Sequence, residues 1–248
     1  MSHDDARGGS GDAAYAAGGG APEGAPGWRS LRRAVAGLIG RERANRLSAP
    51  YHDWAARRRT RRNLGALPAT GLCLNVGCGP NTLEGWVNID VSRGDGIDVV
   101  WDLRRGLPFP DESCTAIFGE HVIEHMPKEA AAALARECLR VLQPGGVLRL
   151  STPDAGLYLR SYAGDGEFLR HPAFGAAPET RMDRVNHMMR EGGQHLWVYD
   201  AESLVALLRA AGFTSVAERK FGESAHPRMR GLDAEGRAFE SLYVEGVR

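Results

Sequence analysis

Long apolar runs are missing from this 248-residue chain. No stretch nears the roughly 20 apolar residues that a membrane-spanning helix needs. The first 27 residues, rich in Gly, Ala, Asp and Ser, hold no apolar core of the kind a secretory signal carries. Cysteine is scarce as well. Cys73, Cys78, Cys114 and Cys138 form no Cys-x-x-Cys pair and no metal-type spacing, so reduced thiols in a cytoplasmic protein are expected. Net charge is absent too, with 31 basic against 31 acidic side chains. That balance argues against a dedicated nucleic-acid binder, which would be basic overall.

The neutral total hides an uneven distribution. Residues 29–62 carry eleven Arg against Glu42 and Asp53, an excess of nine positive charges, while residues 1–28 sum to minus three and 63–248 to minus six. A solvated helical face explains such a run, and so does attraction of an anionic substrate or partner. Residues 1–27 are expected to be a disordered tail, having too little apolar surface to offset ordering. From Trp28 the apolar positions Leu31, Val35, Leu38 and Ile39 fall at helical spacing, Pro50 interrupts, and Tyr51, Trp54 and Ala55 resume. An Arg-rich helical arm over 28–63 is therefore predicted, followed by one domain over 64–248.

Within that domain apolar strands alternate with helical patterns. Strands are predicted at Leu72–Val76, Trp86–Asp90, Ile97–Trp101, Thr115–Gly119 and Val147–Thr152. A helix is predicted over Pro127–Leu142, stopped by Pro144-Gly145-Gly146, and another over Ala201–Ala211 between an Asp200 cap and Gly212. Thr214–Lys220 and Phe239–Val244 should close the sheet as an antiparallel, hairpin-like pair. The fold class expected is α/β: a mostly parallel seven-stranded sheet with helices on both faces. Residues 153–199 break the pattern. Rich in His, Met, Gly and aromatics, they follow the fifth strand, on the side where ligands bind in open α/β sheets, and are expected to cover a substrate site.

The chemistry gathers at strand ends. Leu74-Asn75-Val76-Gly77-Cys78-Gly79-Pro80 is an apolar run broken by a Gly-x-Gly turn, and Asn88-Ile89-Asp90 is a second run ending in a carboxylate. Glycines permit close backbone approach to a ligand, and the acid can accept from ribose hydroxyls. The third glycine of a dinucleotide fingerprint is missing, since Thr82 stands there. His121-x-x-Glu124-His125 matches a zinc-protease spacing. Here it leaves a strand directly instead of lying inside a long helix, which argues against that chemistry.

In ordered combination these features resemble the class I S-adenosylmethionine-dependent methyltransferases, over roughly Leu72 to Val247. The resemblance rests on LNVGCGP, Asp90, Trp101-Asp102-Leu103, Leu107-Pro108-Phe109, Phe118 to His125, Leu142 to Gly146, and Tyr199-Asp200 with Ala211-Gly212-Phe213. It is nearest to a bacterial small-molecule subgroup with a short link between strands one and two and a His-Val-Ile-Glu-His exit from strand four. The cofactor it implies is S-adenosyl-L-methionine. It implies that Asn75, Gly77, Cys78 and Gly79 contact the cofactor and that Asp90 accepts from the ribose. Asp102 and Leu103 would then read the adenine, while Glu120 and His121 line the methyl-transfer pocket.

About a dozen residues separate Gly77 from Asp90, too few for a helix, so the first crossover should be a loop. The arm around Tyr51–Arg62 is the segment expected to cover that edge. Histidine suits the base a hydroxyl acceptor requires, and His121 is expected to be catalytic, with His195 second. Some methyltransferases with Glu-x-x-Glu-His at this exit bind a divalent ion, and Glu124, His125, His187 and His195 would be the residues concerned. No metal is assigned from sequence. The expected activity is O-methylation of a sugar, glycan intermediate or secondary metabolite by a cytoplasmic biosynthetic enzyme. Its partner would be a small molecule, without nucleic acid or membrane, and a homodimer is compatible. N- or C-methylation, RNA or protein methylation guided by the Arg-rich arm, and cofactor binding without turnover are the alternatives.

Overall fold

A computed structural model describes residues 58–175 and 180–248. The predicted tail, most of the predicted arm and its Pro50 break lie outside the described residues. Helix α1 spans residues 58–66, so helical structure runs past the expected boundary at 64. It packs Leu64 and Leu67 on the core. Thr60 Oγ1 accepts from Val100 N–H at 3.0 Å, and the Asn63 amide donates to Asp98 O at 2.8 Å. Both bonds go to the edge of the sheet, whose outer backbone groups would otherwise have no strand to pair with.

The sheet contains β1 (Leu72–Val76), β2 (Val87–Asp90), β3 (Val99–Val100), β4 (Cys114–Glu120), β5 (Leu142–Pro153), β6 (Ser215–Arg219) and β7 (Ser241–Val247). Their order is β3-β2-β1-β4-β5-β7-β6. All neighbours are parallel except β5–β7 and β6–β7. The expected seven-stranded α/β fold is therefore present. The link from Gly77 to Trp86 contains no helix, as its length requires.

Local differences from the sequence reading have physical causes. β3 keeps two residues because it is an edge strand: Asp98 turns its carboxylate to Asn88 N–H, and Trp101 turns its indole N–H to Gly106 O. Helix α2 (Lys128–Val141) passes straight into β5. Residues 143–146 bulge out, so that Leu142 pairs with Cys114 and Val147 with Ala116. Gly145 at the bulge takes φ +78° and donates to Arg248 O at 3.0 Å. Helix α5 (Ala201–Ala211) follows the expectation, with Asp200 Oδ1 accepting from Ser203 N–H and Gly212 left-handed at its end. β6 and β7 are antiparallel, but residues 220–240 join them, so they are no hairpin.

The two faces are covered differently. On one, α2 and α5 bury Leu134, Cys138, Val141, Leu204 and Leu208 against Leu74, Ile89, Ile117 and Leu148. On the other, Cys73, Ala116, Phe118 and Val147 meet Trp86, Leu83, Met229 and Leu232, all from non-strand segments and none, among the described residues, from an α-helix. A buried ionic network fastens that second cover. Arg149 (β5) makes two bonds to Asp233, at 2.9 and 2.6 Å, and one to Glu245 (β7) at 3.3 Å. Asp233 also accepts from Gly222 N–H, and Glu245 accepts from Arg219 and Ala225. Every side chain in the triad is 0–1% exposed, so each charge depends on its partners instead of water.

The segment 153–199 contains helices α3 (Ala155–Ala163) and α4 (Arg181–Arg190), begun by Asp154 and by a Thr180–Asp183 capping box. They enclose a small core of Ala155, Tyr158, Leu169, Val185 and Met188.

Candidate active site

The Gly-x-Gly turn is built from inside. Gly77 N–H and Cys78 N–H both donate to Ile89 O, at 2.8 and 3.2 Å, which locks the end of β1 to the end of β2. Gly77 and Gly79 have φ +64° and +50°, a region that favours glycine. A Cβ on Gly77 would lie 2.1 Å from Val122 Cγ2, so this glycine is needed for the chain's own packing as well as for any ligand. Gly79 N–H donates to Asp90 Oδ2 at 2.9 Å and Ser92 N–H to Asp90 Oδ1 at 2.6 Å. The turn and the acid are one unit. Cys78, buried beside Asp90, has its thiol pushed up to about 12, first by burial and then by the Asp90 charge.

Asn75 serves the link. Its amide N–H groups go to Asn81 O at 2.9 Å and Asn88 Oδ1 at 3.0 Å. Asn88 in turn bonds Leu83 N–H and Leu83 O. This side chain, expected to touch a cofactor, ties a hydrogen-bonded ladder beneath the loop that joins β1 to β2.

Beyond β3, Trp101 N–H donates to Asp90 O at 2.8 Å, which sets Asp102 and Leu103 beside the same strand ends. Asp102 caps a short 3-10 turn and is gripped by Arg104, whose Nε donates to Oδ1 and Nη2 to Oδ2 at 2.9 and 2.8 Å. The Arg104 guanidinium holds the Asp102 carboxyl below its ordinary range. Arg104 is 60% exposed, so a competing ligand can displace it. Leu103 buries its side chain in the core.

At the β4 exit Glu120 Oε1 accepts from Ala234 N–H at 2.8 Å. His121 is one of three non-glycine residues with positive φ among the described residues, at +48°. Ser241 Oγ donates to Arg237 O, so it accepts from His121 Nε2–H at 2.7 Å. Arg237 donates to His121 Nδ1 at 2.8 Å, which puts the lone pair there. Two groups from the end of the chain thus fix a neutral tautomer. Sequence reading missed both, because no local pattern ties residues 237 and 241 to residue 121.

Next to it Glu124 is fully buried. His125 and His195 approach it, their rings edge-on at 5.0 Å, and His195 Nε2 lies 2.9 Å from Glu191. His187 lies outside this cluster. Leu196 N–H and Trp197 N–H donate to Glu124 O at 2.8 and 3.2 Å, which docks the 153–199 segment on the β4 exit. The segment is therefore tied to the β4 exit, next in sequence to Glu120 and His121.

Comparison with known proteins places this arrangement. A methyltransferase-domain family model matches residues 47–218. A probable S-adenosylmethionine-dependent methyltransferase of Mycobacterium tuberculosis is 29% identical over 143 residues, 58% of this chain and 42% of that protein. A similarly described protein of Mycolicibacterium smegmatis is 44% identical over 57 residues, 21% of each chain. The chain thus spans less than half the length of these curated relatives. Among solved structures, an S-adenosylmethionine-dependent methyltransferase from Archaeoglobus fulgidus aligns with a TM-score of 0.43 at 15% identity, over 77% of this chain and 91% of that one. With the family model matched over well over half its length and the β3-β2-β1-β4-β5-β7-β6 sheet beneath the site, the chain belongs to the methyltransferase-domain family and has the class I fold of S-adenosylmethionine-dependent methyltransferases.

Proposed function

We propose that the chain methylates a hydroxyl of a small molecule, a sugar, glycan intermediate or secondary metabolite, using S-adenosylmethionine. The observation that carries the reading is the single unit made by the glycine turn and Asp90 at the ends of β1 and β2. Each Asp90 oxygen accepts one backbone N–H and keeps a lone pair for a ribose hydroxyl. Val91 beside it is 65% exposed, an apolar surface that a bound adenine ring would cover. Asp102 can accept from the adenine amine once Arg104 swings away.

S-adenosylmethionine, held by Asp90 and Asp102, would supply a methyl already activated on a sulfonium. The protein's part is alignment and proton removal. His121 Nδ1, the lone-pair nitrogen at the β4 exit, is the base we assign. Arg237, exposed, yields that nitrogen to the acceptor hydroxyl. His195, whose Nδ1 bonds Met188 O and whose Nε2 lies 2.9 Å from Glu191 Oε2, has a different part, argued below.

Calorimetry with S-adenosylmethionine tests the reading. Wild type should bind one equivalent. Asp90→Ala should bind at least about tenfold more weakly, through loss of charge-assisted bonds to the ribose. Thermal unfolding of the variant would check that the turn survives. A wild type that does not bind refutes the proposal.

A further inference from the structure

We infer that Glu124, His125 and His195 form a binding site for a divalent first-row transition cation, closed by Glu191 and fastening the cover to the β4 exit. The donor atoms of the first three residues lie within 4.8 Å of one another. Four ligand atoms around a tetrahedral ion at about 2.0 Å stand about 3.3 Å apart, so small side-chain rotations complete the site.

Hydrogen-bond logic shows which atoms face inward. His125 Nδ1 lies 3.2 Å from Gln194 O, and His195 Nδ1 bonds Met188 O. A carbonyl can only accept, so each Nδ1 carries the hydrogen and each Nε2 the lone pair. The two Nε2 atoms face Glu191 Oε2, at 3.9 and 2.9 Å. Electron-rich atoms therefore converge with no hydrogen between them. A proton on His195 would satisfy Glu191 but leave Glu124 unanswered. Glu124 is fully buried, and among the described residues neither of its oxygens accepts a hydrogen bond. His121 Nδ1, 3.3 Å away, is taken by Arg237 as an acceptor and offers no hydrogen. One cation answers all four groups.

The surroundings have the character of a built site. Imidazoles that donate Nδ1–H to a carbonyl and present Nε2 are oriented as metal ligands are. The ligands come from two elements tied by backbone bonds, Glu124 O to Leu196 and Trp197 N–H, and Arg190 O to His195 N–H at 3.2 Å. His125 and Glu191, 34% and 38% exposed, leave a way in. Two imidazoles with carboxylate suit Zn²⁺, Mn²⁺, Fe²⁺ or Co²⁺, whereas Ca²⁺ and Mg²⁺ prefer all-oxygen sets. The site stands whether or not the proposed methylation is right.

The test uses the full chain stripped with a chelator and titrated with Co²⁺ by visible absorption and with Zn²⁺ by calorimetry. One equivalent should bind, with Co²⁺ bands of a low-coordinate nitrogen–oxygen site, and saturating Zn²⁺ should raise the melting temperature. Glu124→Gln and His195→Asn should each weaken binding about tenfold or more and abolish the thermal shift, while His187→Asn should change neither. A Co²⁺ spectrum that stays that of the aqueous ion, a thiolate charge-transfer band, or equal affinity in wild type and both variants would overturn the site. Glu124→Gln removes a buried charge, so its apo form should fold. If His195→Asn does not fold, the wild-type spectrum and Glu124→Gln decide. S-adenosylmethionine binding is followed on the same samples, and its failure beside an intact cation titration would count against the proposed function alone.

Discussion

Gly77 shows how one residue can be legible in type and illegible in cause. The apolar run broken at Gly77 announced a turn, but the reason no side chain fits there is Val122, 2.1 Å from the missing Cβ and distant in sequence. Gly77→Ala should cost roughly 2–4 kcal/mol in urea unfolding, from overpacking added to a strained φ. Val122→Ala should recover part of it, with a coupling of about 1 kcal/mol or more in the double-mutant cycle; strict additivity would contradict the contact. Asp90 was readable as a carboxylate ending an apolar strand, but its bonds to Gly79 and Ser92 N–H were not. Asn75 was not, since its partners Asn81 and Asn88 depend on how a short link folds back. Glu191 stands four residues before His195, but the left-handed turn at Glu191 and Gly192 that brings them together leaves no helical pattern to read.

At the scale of elements, the strands and the two helices of the covered face followed from periodicity. The cover of the other face did not, because residues 220–240 have no period to read. A signal existed nonetheless in Arg149 and Glu245, single charges inside otherwise apolar strands, which points to a buried pair. Removing one member leaves the others uncompensated, so Asp233→Ala should cost about 3–5 kcal/mol in equilibrium unfolding. A loss below about 1 kcal/mol would show that water reaches the triad. The small core of the 153–199 segment was hidden by its short helices, although the Thr180–Asp183 box marked the start of α4.

For the whole molecule, the strand order β3-β2-β1-β4-β5-β7-β6 was not read from sequence, since pairing between distant strands leaves no mark on local pattern. The four cysteines report on the assembled core. All are free and buried, spread over β1, its turn, β4 and α2. Burial pushes Cys78 to about 12 and Cys114 to about 11, and Cys138 upward as well. Native protein should therefore react slowly with a thiol reagent at pH 8, all four thiols appearing together in denaturant. Fast labelling of one thiol in the native state would place it at the surface. The same shifts fix a sign with pH: unfolded thiols ionise near ~8.5, folded ones later, so the unfolded state binds fewer protons and stability falls as pH rises from there through about 11 to 12. Unfolding midpoints measured across that window should decline steadily.

Residues 220–240 hold one face of the sheet shut and also supply Arg237 to His121 and Ala234 to Glu120. A segment with both duties has little freedom to vary, because a change made for a new acceptor would loosen the core. The 153–199 segment carries its own small core, and only Tyr199 at its end is counted in the main one. Under the proposed function, a change of acceptor would therefore fall first on that segment, with the sheet beneath it unaltered.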